Sequence, residues 1–403
     1  MALKSPSVTL SQGRRYIWQQ PGWPALTVQN ALLNDALHQA RLEQGRLLGL
    51  LEAIGLSQAL EVGQNIWEQE TLATAAIEGE RLDLSAVRSS VARHMGLSDV
   101  ATNDRHVDGL VEVMDDASRN FKMPLTDDRL CRWQAALFAD SAIDGFAGVR
   151  RVAVGRYRNH ADAMQIVSGL PGREVVHYQA PASGDVPAQM QAFLAWFESP
   201  VLTSQALATQ QPSMGGLVRA AVAHLWFETI HPFEDGNGRI GRAIADLALA
   251  QDVNAAVRVF GLSRQLQESR AGYYEALNTA QRGGLDITPW VLWFVQAFTA
   301  GCVRSQELVR AAMQKAAFWQ GANEQALNPR QRKVLTRLLE AGDGGFLGGL
   351  TAQKYTKMTG ASKPTATRDL SQLQTWGLLE VEGVGKATRY VVNVSGWNQT
   401  SGA

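Results

Sequence analysis

Apolar residues recur at helical spacing along most of the chain. Over residues 28–54, Leu32, Leu33, Leu37, Leu42, Leu47, Leu48 and Leu51 follow that period and predict one long helix. Further helices are predicted over residues 66–80, 86–94 with Ser85 as cap, from Asp104 or Val107 to Asn120, and over 126–139, 187–198 and 214–230. The pattern changes at residues 145–178, which are richer in valine, glycine and arginine. There, residues 163–168 and 174–178 flank Gly169-Leu170-Pro171-Gly172, a hairpin pattern. Beyond residue 325, Asn328-Pro329 opens a helix to Ala341, residues 351–358 predict a second, and Ser362 caps a third through Trp376. Strand-like residues 378–381 and 388–392 follow, and three helices with a hairpin make a winged-helix pattern.

Composition changes this picture little. The chain has 403 residues, 45% hydrophobic, with 38 basic and 38 acidic side chains, so no global field points to nucleic acid or an anionic membrane. Two cysteines, Cys131 and Cys302, form no disulfide framework or metal spacing and predict buried thiols in a reducing cytoplasm. The apolar run at residues 287–303 is short and interrupted by Pro289 and Gln296, which predicts a buried helix and no membrane partner.

The chemistry concentrates in His231-Pro232-Phe233-Glu234-Asp235-Gly236-Asn237-Gly238-Arg239-Ile240-Gly241-Arg242. Pro232 predicts an extended His231, Asp235-Gly236 a turn, and Asn237 the N-cap of a new helix. A helix N-terminus flanked by Gly236 and Gly238 suits an anion, because its first N–H groups lack internal partners. Arg239 and Arg242 add guanidinium contacts, Asp235 is a hard oxygen ligand for Mg²⁺, and His231 can exchange a proton near neutral pH. Together these roles describe a phosphoryl or nucleotidyl transfer site.

This stretch resembles the H-P-F-x-[DE]-G-N-G-R-x-x-R signature of the Fic family, enzymes that move AMP from ATP onto a protein hydroxyl. The resemblance implies His231 as the base on the target hydroxyl and Asp235 as the Mg²⁺ ligand. It implies Gly236, Asn237 and Gly238 as the anion loop, with Arg239 and Arg242 on the distal phosphates of ATP. Upstream, Thr74 and Glu78 share a helix face and Gly79 follows as a stop. They resemble the inhibitory [ST]-x-x-x-E-[GN] motif, which implies that an N-terminal helix at about residues 64–79 blocks the site through Glu78. The resemblance also makes Gln165, Ile166 and Val167 a flap strand that docks the target, and assigns Tyr274 and Gln281 to the nucleoside. An aromatic core is an equal reading of the tyrosines, and His224 is expected in the core.

The expected fold is mainly α: an N-terminal helical domain (residues 1–100), a Fic-type helical core with a β-hairpin flap (101–320) and a C-terminal winged helix (326–395). From Ala326 onward there are ten Lys/Arg against five Asp/Glu. Lys363, Thr365, Thr367 and Arg368, with Lys386 and Arg389 on the wing, are therefore candidate DNA contacts; packing or dimerisation is the alternative. The expected function is a cytoplasmic protein adenylyltransferase using MgATP on a Ser, Thr or Tyr of a target protein, itself included. Removal of AMP with Glu78 orienting water, and a nucleotide-sensing DNA-binding regulator, are the alternatives. A homodimer is a further expectation from the resemblance.

Overall fold

The computed structural model describes residues 16–99, 104–139, 153–168, 175–199, 215–256, 258–342, 346, 348–395 and 397. It is mainly helical, with fourteen α-helices and two antiparallel hairpins among these residues. No described helix is long and apolar enough to cross a membrane. Contacts divide the chain into two compact units. The first holds the described residues up to Leu48 with Gly63–Ser305, and the second holds Gly49–Val62 with the described residues from Gln306 on.

In the first unit, α7 (Gly216–Ile230) and α8 (Asn237–Val253) form the centre, and every residue of α7 from Leu217 to Ile230 is buried. Apart from Arg219, His224, Glu228 and Thr229 the helix is apolar, as its place in the core requires. Around this pair lie α3 (Leu84–His94), α4 (Arg105–Arg119), α5 (Asp127–Leu137), α6 (Val186–Phe197), α9 (Leu262–Glu268) and α10 (Arg270–Gln281). The helix α3 is capped by Asp83, whose side chain accepts from Ala86 N, and not by Ser85 as expected; the carboxylate is the stronger acceptor.

The described residues up to Leu48 and those of Gly63–Ser305, on both sides of residue 100, pack in the first unit. The N-terminal aromatics account for this. Trp23 meets Trp226 of α7, Tyr16 meets Tyr178, and Thr27 N donates to Leu285 O. The helix α2 (Leu56–Ile77) is also anchored, because buried Glu70 accepts from Ser263 N and Arg264 N where α9 begins. Cys302 is buried as expected, but Cys131 of α5 is only partly buried.

In the second unit, α12 (Pro329–Ala341), α13 (Ala352–Thr359) and α14 (Lys363–Thr375) precede β3 (Leu379–Glu382), which pairs with β4 (Arg389–Val392). Asn328, Thr351 and Ser362 cap the three helices with their side chains. The core includes Leu335, Leu338, Leu370, Leu373 and Val392. Beside it, buried Asp369 accepts from Arg330 Nε at 3.0 Å, Tyr355 OH at 2.8 Å and Asn328 Nδ2 at 3.3 Å. Burial raises the Asp369 pKa, but these donors outweigh it and hold the carboxyl below its ordinary value. Its stabilisation is therefore present above the ordinary carboxylate range and is lost as pH falls through the lowered value. Asp369→Ala should cost this unit about 3 kcal/mol in chemical denaturation at neutral pH, and much less in strong acid. An equal loss at both pH values would contradict this.

Candidate active site

The site lies where α7 hands over to α8 through residues 231–236. His231 ends α7 in the left-handed region (φ 50°, ψ 61°), with its N–H bonded to Phe227 O. This corrects the extended geometry expected before Pro232. Proline disfavours the right-handed helical region in the residue before it, and the chain here leaves the helix by the opposite twist. Such a conformation is costly for a non-glycine residue and requires support from its surroundings.

That support comes from two residues outside the 231–242 motif. Arg158 is 1% exposed and donates to His231 O at 2.8 Å, Ile230 O at 3.2 Å, Pro181 O at 2.7 Å and Ser183 Oγ at 2.9 Å. Tyr178 is fully buried and donates to Thr229 O at 2.6 Å. Three successive carbonyls at the negative end of α7 are thereby satisfied. Burial pushes the Arg158 pKa down to about 10, so the guanidinium stays charged at neutral pH.

Tyr178 belongs to β2 (Val175–Gln179), which pairs antiparallel with β1 (Gln165–Ser168). The expected flap residues Gln165, Ile166 and Val167 are thus on a hairpin tied to the last turn of α7. Gln165 pairs with Gln179, Ile166 with Tyr178 and Val167 with Val176, with a bulge between Ile166 and Val167. The Gly169–Gly172 turn and the Val167 side chain lie outside the described residues.

Beyond His231, Phe233 is fully buried against Tyr157 and Phe227. Asn237 is not the N-cap; that place is taken by Gly236 at φ 90°. Asn237 instead bonds Phe233 twice, its Oδ1 accepting from the backbone N and its Nδ2 donating to the backbone O, both at 2.9 Å. The amide therefore clamps the loop, while the left-handed turn needs glycine. Asp235 remains more than half exposed, its Oδ1 accepting from Gly236 N at 2.6 Å and lying 3.5 Å from Arg239 Nη2.

The positive end of α8 already carries two carboxylates. Arg242 is 2% exposed and donates from Nε to Thr74 Oγ1 at 2.7 Å, and from Nη2 to Thr74 O at 3.0 Å and Glu78 Oε1 at 2.7 Å. Burial lowers the Arg242 pKa, but Glu78 and the other acidic groups around it outweigh this and raise it. A Cβ on Gly238 would lie 2.1 Å from Glu78 Oε1, so the carboxylate uses space that only glycine leaves open. Arg239, 3% exposed, pairs with Glu80 at 2.9 Å, and Glu80 also meets His106 Nε2 at 3.1 Å. Both glutamates are delivered by the end of α2. Gly79 at φ 85° turns the chain, and Glu80 N returns to Ala75 O in a Schellman-type closure.

The two remaining candidates face inward. Tyr274 donates to Ile77 O at 3.2 Å beside the end of α2. Gln281 is 1% exposed and donates to Glu228 O at 3.1 Å, which places its amide under α7 in the core. His224 is buried as expected, with Nε2 2.9 Å from Tyr273 OH.

Residues 124–249, which contain this loop, match the model of the Fic/DOC family. Residues 16–97, including Thr74 and Glu78, match a domain of unknown function, DUF4172. The chain is 33% identical over 111 residues to protein adenylyltransferase Fic of Drosophila erecta, covering 28% of this chain and 19% of that protein. It is 33% identical over 92 residues to a protein adenylyltransferase of Caenorhabditis briggsae, covering 23% of this chain and 17% of that protein. The chain thus spans less than a fifth of the length of these relatives. A Fic family protein from Desulfovibrio desulfuricans G20 aligns over 92% of this chain and 98% of its own, with 20% identity and a TM-score of 0.49.

Arg158→Ala would leave carbonyls at the end of α7 buried without donors. It should lower stability to denaturant by about 3 kcal/mol. A loss below about 1 kcal/mol would mean that these contacts do not hold the loop.

Proposed function

We propose that the protein is a protein adenylyltransferase that moves AMP from ATP to a Ser, Thr or Tyr hydroxyl of a target protein, itself included, and that Glu78 holds it inactive. The observation that carries this reading is the Glu78 carboxylate lying against Gly238 and paired with Arg242 at the start of α8. A carboxylate already stands in a cradle suited to a phosphate.

With Glu78 withdrawn, the triphosphate lies at the α8 N-terminus, against Gly236, Asn237 and Gly238, and Arg239 and Arg242 hold its distal phosphates. Asp235, an exposed oxygen donor beside this cradle, would hold Mg²⁺, which supplies charge neutralisation on the phosphates. His231 takes the proton from the target hydroxyl, whose oxygen attacks the α-phosphorus as pyrophosphate leaves. The β1 edge pairs with the target segment by strand addition. Tyr274 bounds the nucleoside side, whereas the burial of Gln281 argues against direct contact with a base.

The inhibition has a physical basis. Removing the partner of a buried charge costs about 3–5 kcal/mol, so Arg242 keeps Glu78 until another anion replaces it. While it stays, the carboxylate also repels the triphosphate. Intact-mass spectrometry after incubation with MgATP should therefore show an AMP-sized gain in Glu78→Gly, little in the wild type, and none in Glu78→Gly with His231→Ala. Where the target is a separate protein, transfer from labelled ATP to cell-extract proteins gives the same order. Equal transfer by all three proteins would defeat the reading.

A second reading concerns the second unit, where Lys363, Thr367 and Arg368 are exposed on α14. Thr365 is partly engaged by Ser362 at 3.0 Å, and the Lys386 side chain lies outside the described residues. This helix would enter a DNA groove as part of a winged helix. Lys363→Ala with Arg368→Ala should weaken duplex binding about tenfold and reduce its salt dependence by about two ions. Unchanged fluorescence anisotropy would exclude this face.

A further inference from the structure

Glu228 lies one helical turn before His231 on α7 and is 4% exposed. Its Oε2 is 3.7 Å from His231 Nδ1. A buried carboxylate needs a partner, and candidates face it from several elements. On α7 these are His224 and His231; on α8, Arg242; on α10 and β2, the neutral phenols Tyr273 and Tyr178. The Arg242 hydrogen bonds go to Thr74 and Glu78, and the His224 Nε2 contact goes to Tyr273. His231 is left as the nearest complement to the carboxylate.

The surroundings are shaped for this carboxylate. A Cβ on Gly241 of α8 would stand 2.5 Å from Glu228 Oε1 and 3.2 Å from His224 Nδ1. Both Glu228 Oε1 and His231 Nδ1 are buried without a hydrogen-bond partner. The 3.7 Å gap is one that a small rotation of the imidazole closes, as such contacts do when substrate arrives. Burial raises the Glu228 pKa, but the nearby histidines and Arg242 outweigh it, which favours the ionised acceptor form.

We propose that Glu228 is a positioning residue for the transfer reaction, accepting the Nδ1 proton of His231 so that Nε2 stays bare to take the proton of the target hydroxyl. It also balances the imidazolium that this step creates. The reaction half of this inference rests on the adenylyltransferase reading; the Nδ1 contact does not.

The first test is imidazole-nitrogen NMR of the full chain at alkaline pH. Wild type should show His231 protonated at Nδ1, and Glu228→Leu should move the balance towards the Nε2-protonated form. Glu228→Gln keeps an acceptor and should restore the wild-type tautomer. In a Glu78→Gly background, Glu228→Leu should lower kcat about 100-fold with the KM for ATP unchanged, and Glu228→Gln should lose less. Should Glu228→Leu not fold, Gly241→Ala, which displaces the carboxylate from the opposite side, should move the tautomer in the same direction. An unchanged tautomer in a folded variant overturns the proposal. A changed tautomer in a protein that transfers no AMP keeps the contact and removes the reaction.

Discussion

A buried guanidinium must always have an anion, and the site depends on this constraint at Arg242. The arginine is held in the second turn of α8 with almost no access to water, and Thr74 and Glu78 answer it from the end of α2. Glycine at position 238 makes the arrangement possible, since any side chain there would collide with the carboxylate. One small space beside a helix N-terminus is therefore the seat of a carboxylate from another helix. Arg239 repeats the arrangement with Glu80, so the same turn of chain after α2 satisfies both arginines of the loop.

The opposite side of the loop obeys a different constraint. His231 has a backbone twist that side-chain-bearing residues seldom adopt, at the end of a helix whose carbonyls are cut off from water. Arg158 and Tyr178 supply the missing donors, and Asn237 ties the following residues together through Phe233. Because Tyr178 is also a hairpin residue, the same hydrogen bond that closes α7 ties the hairpin to its last turn. Stability and the placement of a reactive group share the same contacts here.

The helices were largely legible because their apolar periods are long and their caps are local. The loop was legible because its chemistry-bearing residues are contiguous, and the Thr74–Glu78 pair because its partners lie one turn apart with a glycine after them. Arg158, Tyr178, Glu80 and Glu228 were not, for a common reason: each gains meaning only from a neighbour that the fold brings in from another element, or from a loop twist no local pattern encodes. Arg158 is one of several arginines in its segment, and sequence spacing does not distinguish the one that meets carbonyls more than seventy residues away. Asn237 misled for the opposite reason. Asparagine is a good cap, but a glycine with a left-handed backbone stood one position earlier and took that place, which freed the amide to clamp the loop. Gln281 read as a ligand-facing amide although its position on α10 turns it under α7.

The central claim is that the Glu78 carboxylate occupies the place of a phosphate. Calorimetric titration of MgATP, as a non-hydrolysable analogue, and of MgADP onto the wild type and Glu78→Gly tests it most directly. The account predicts that removing Glu78 tightens the triphosphate far more than the diphosphate, because Arg242 is released for the distal phosphate. Equal changes for both nucleotides, or none for either, would contradict it.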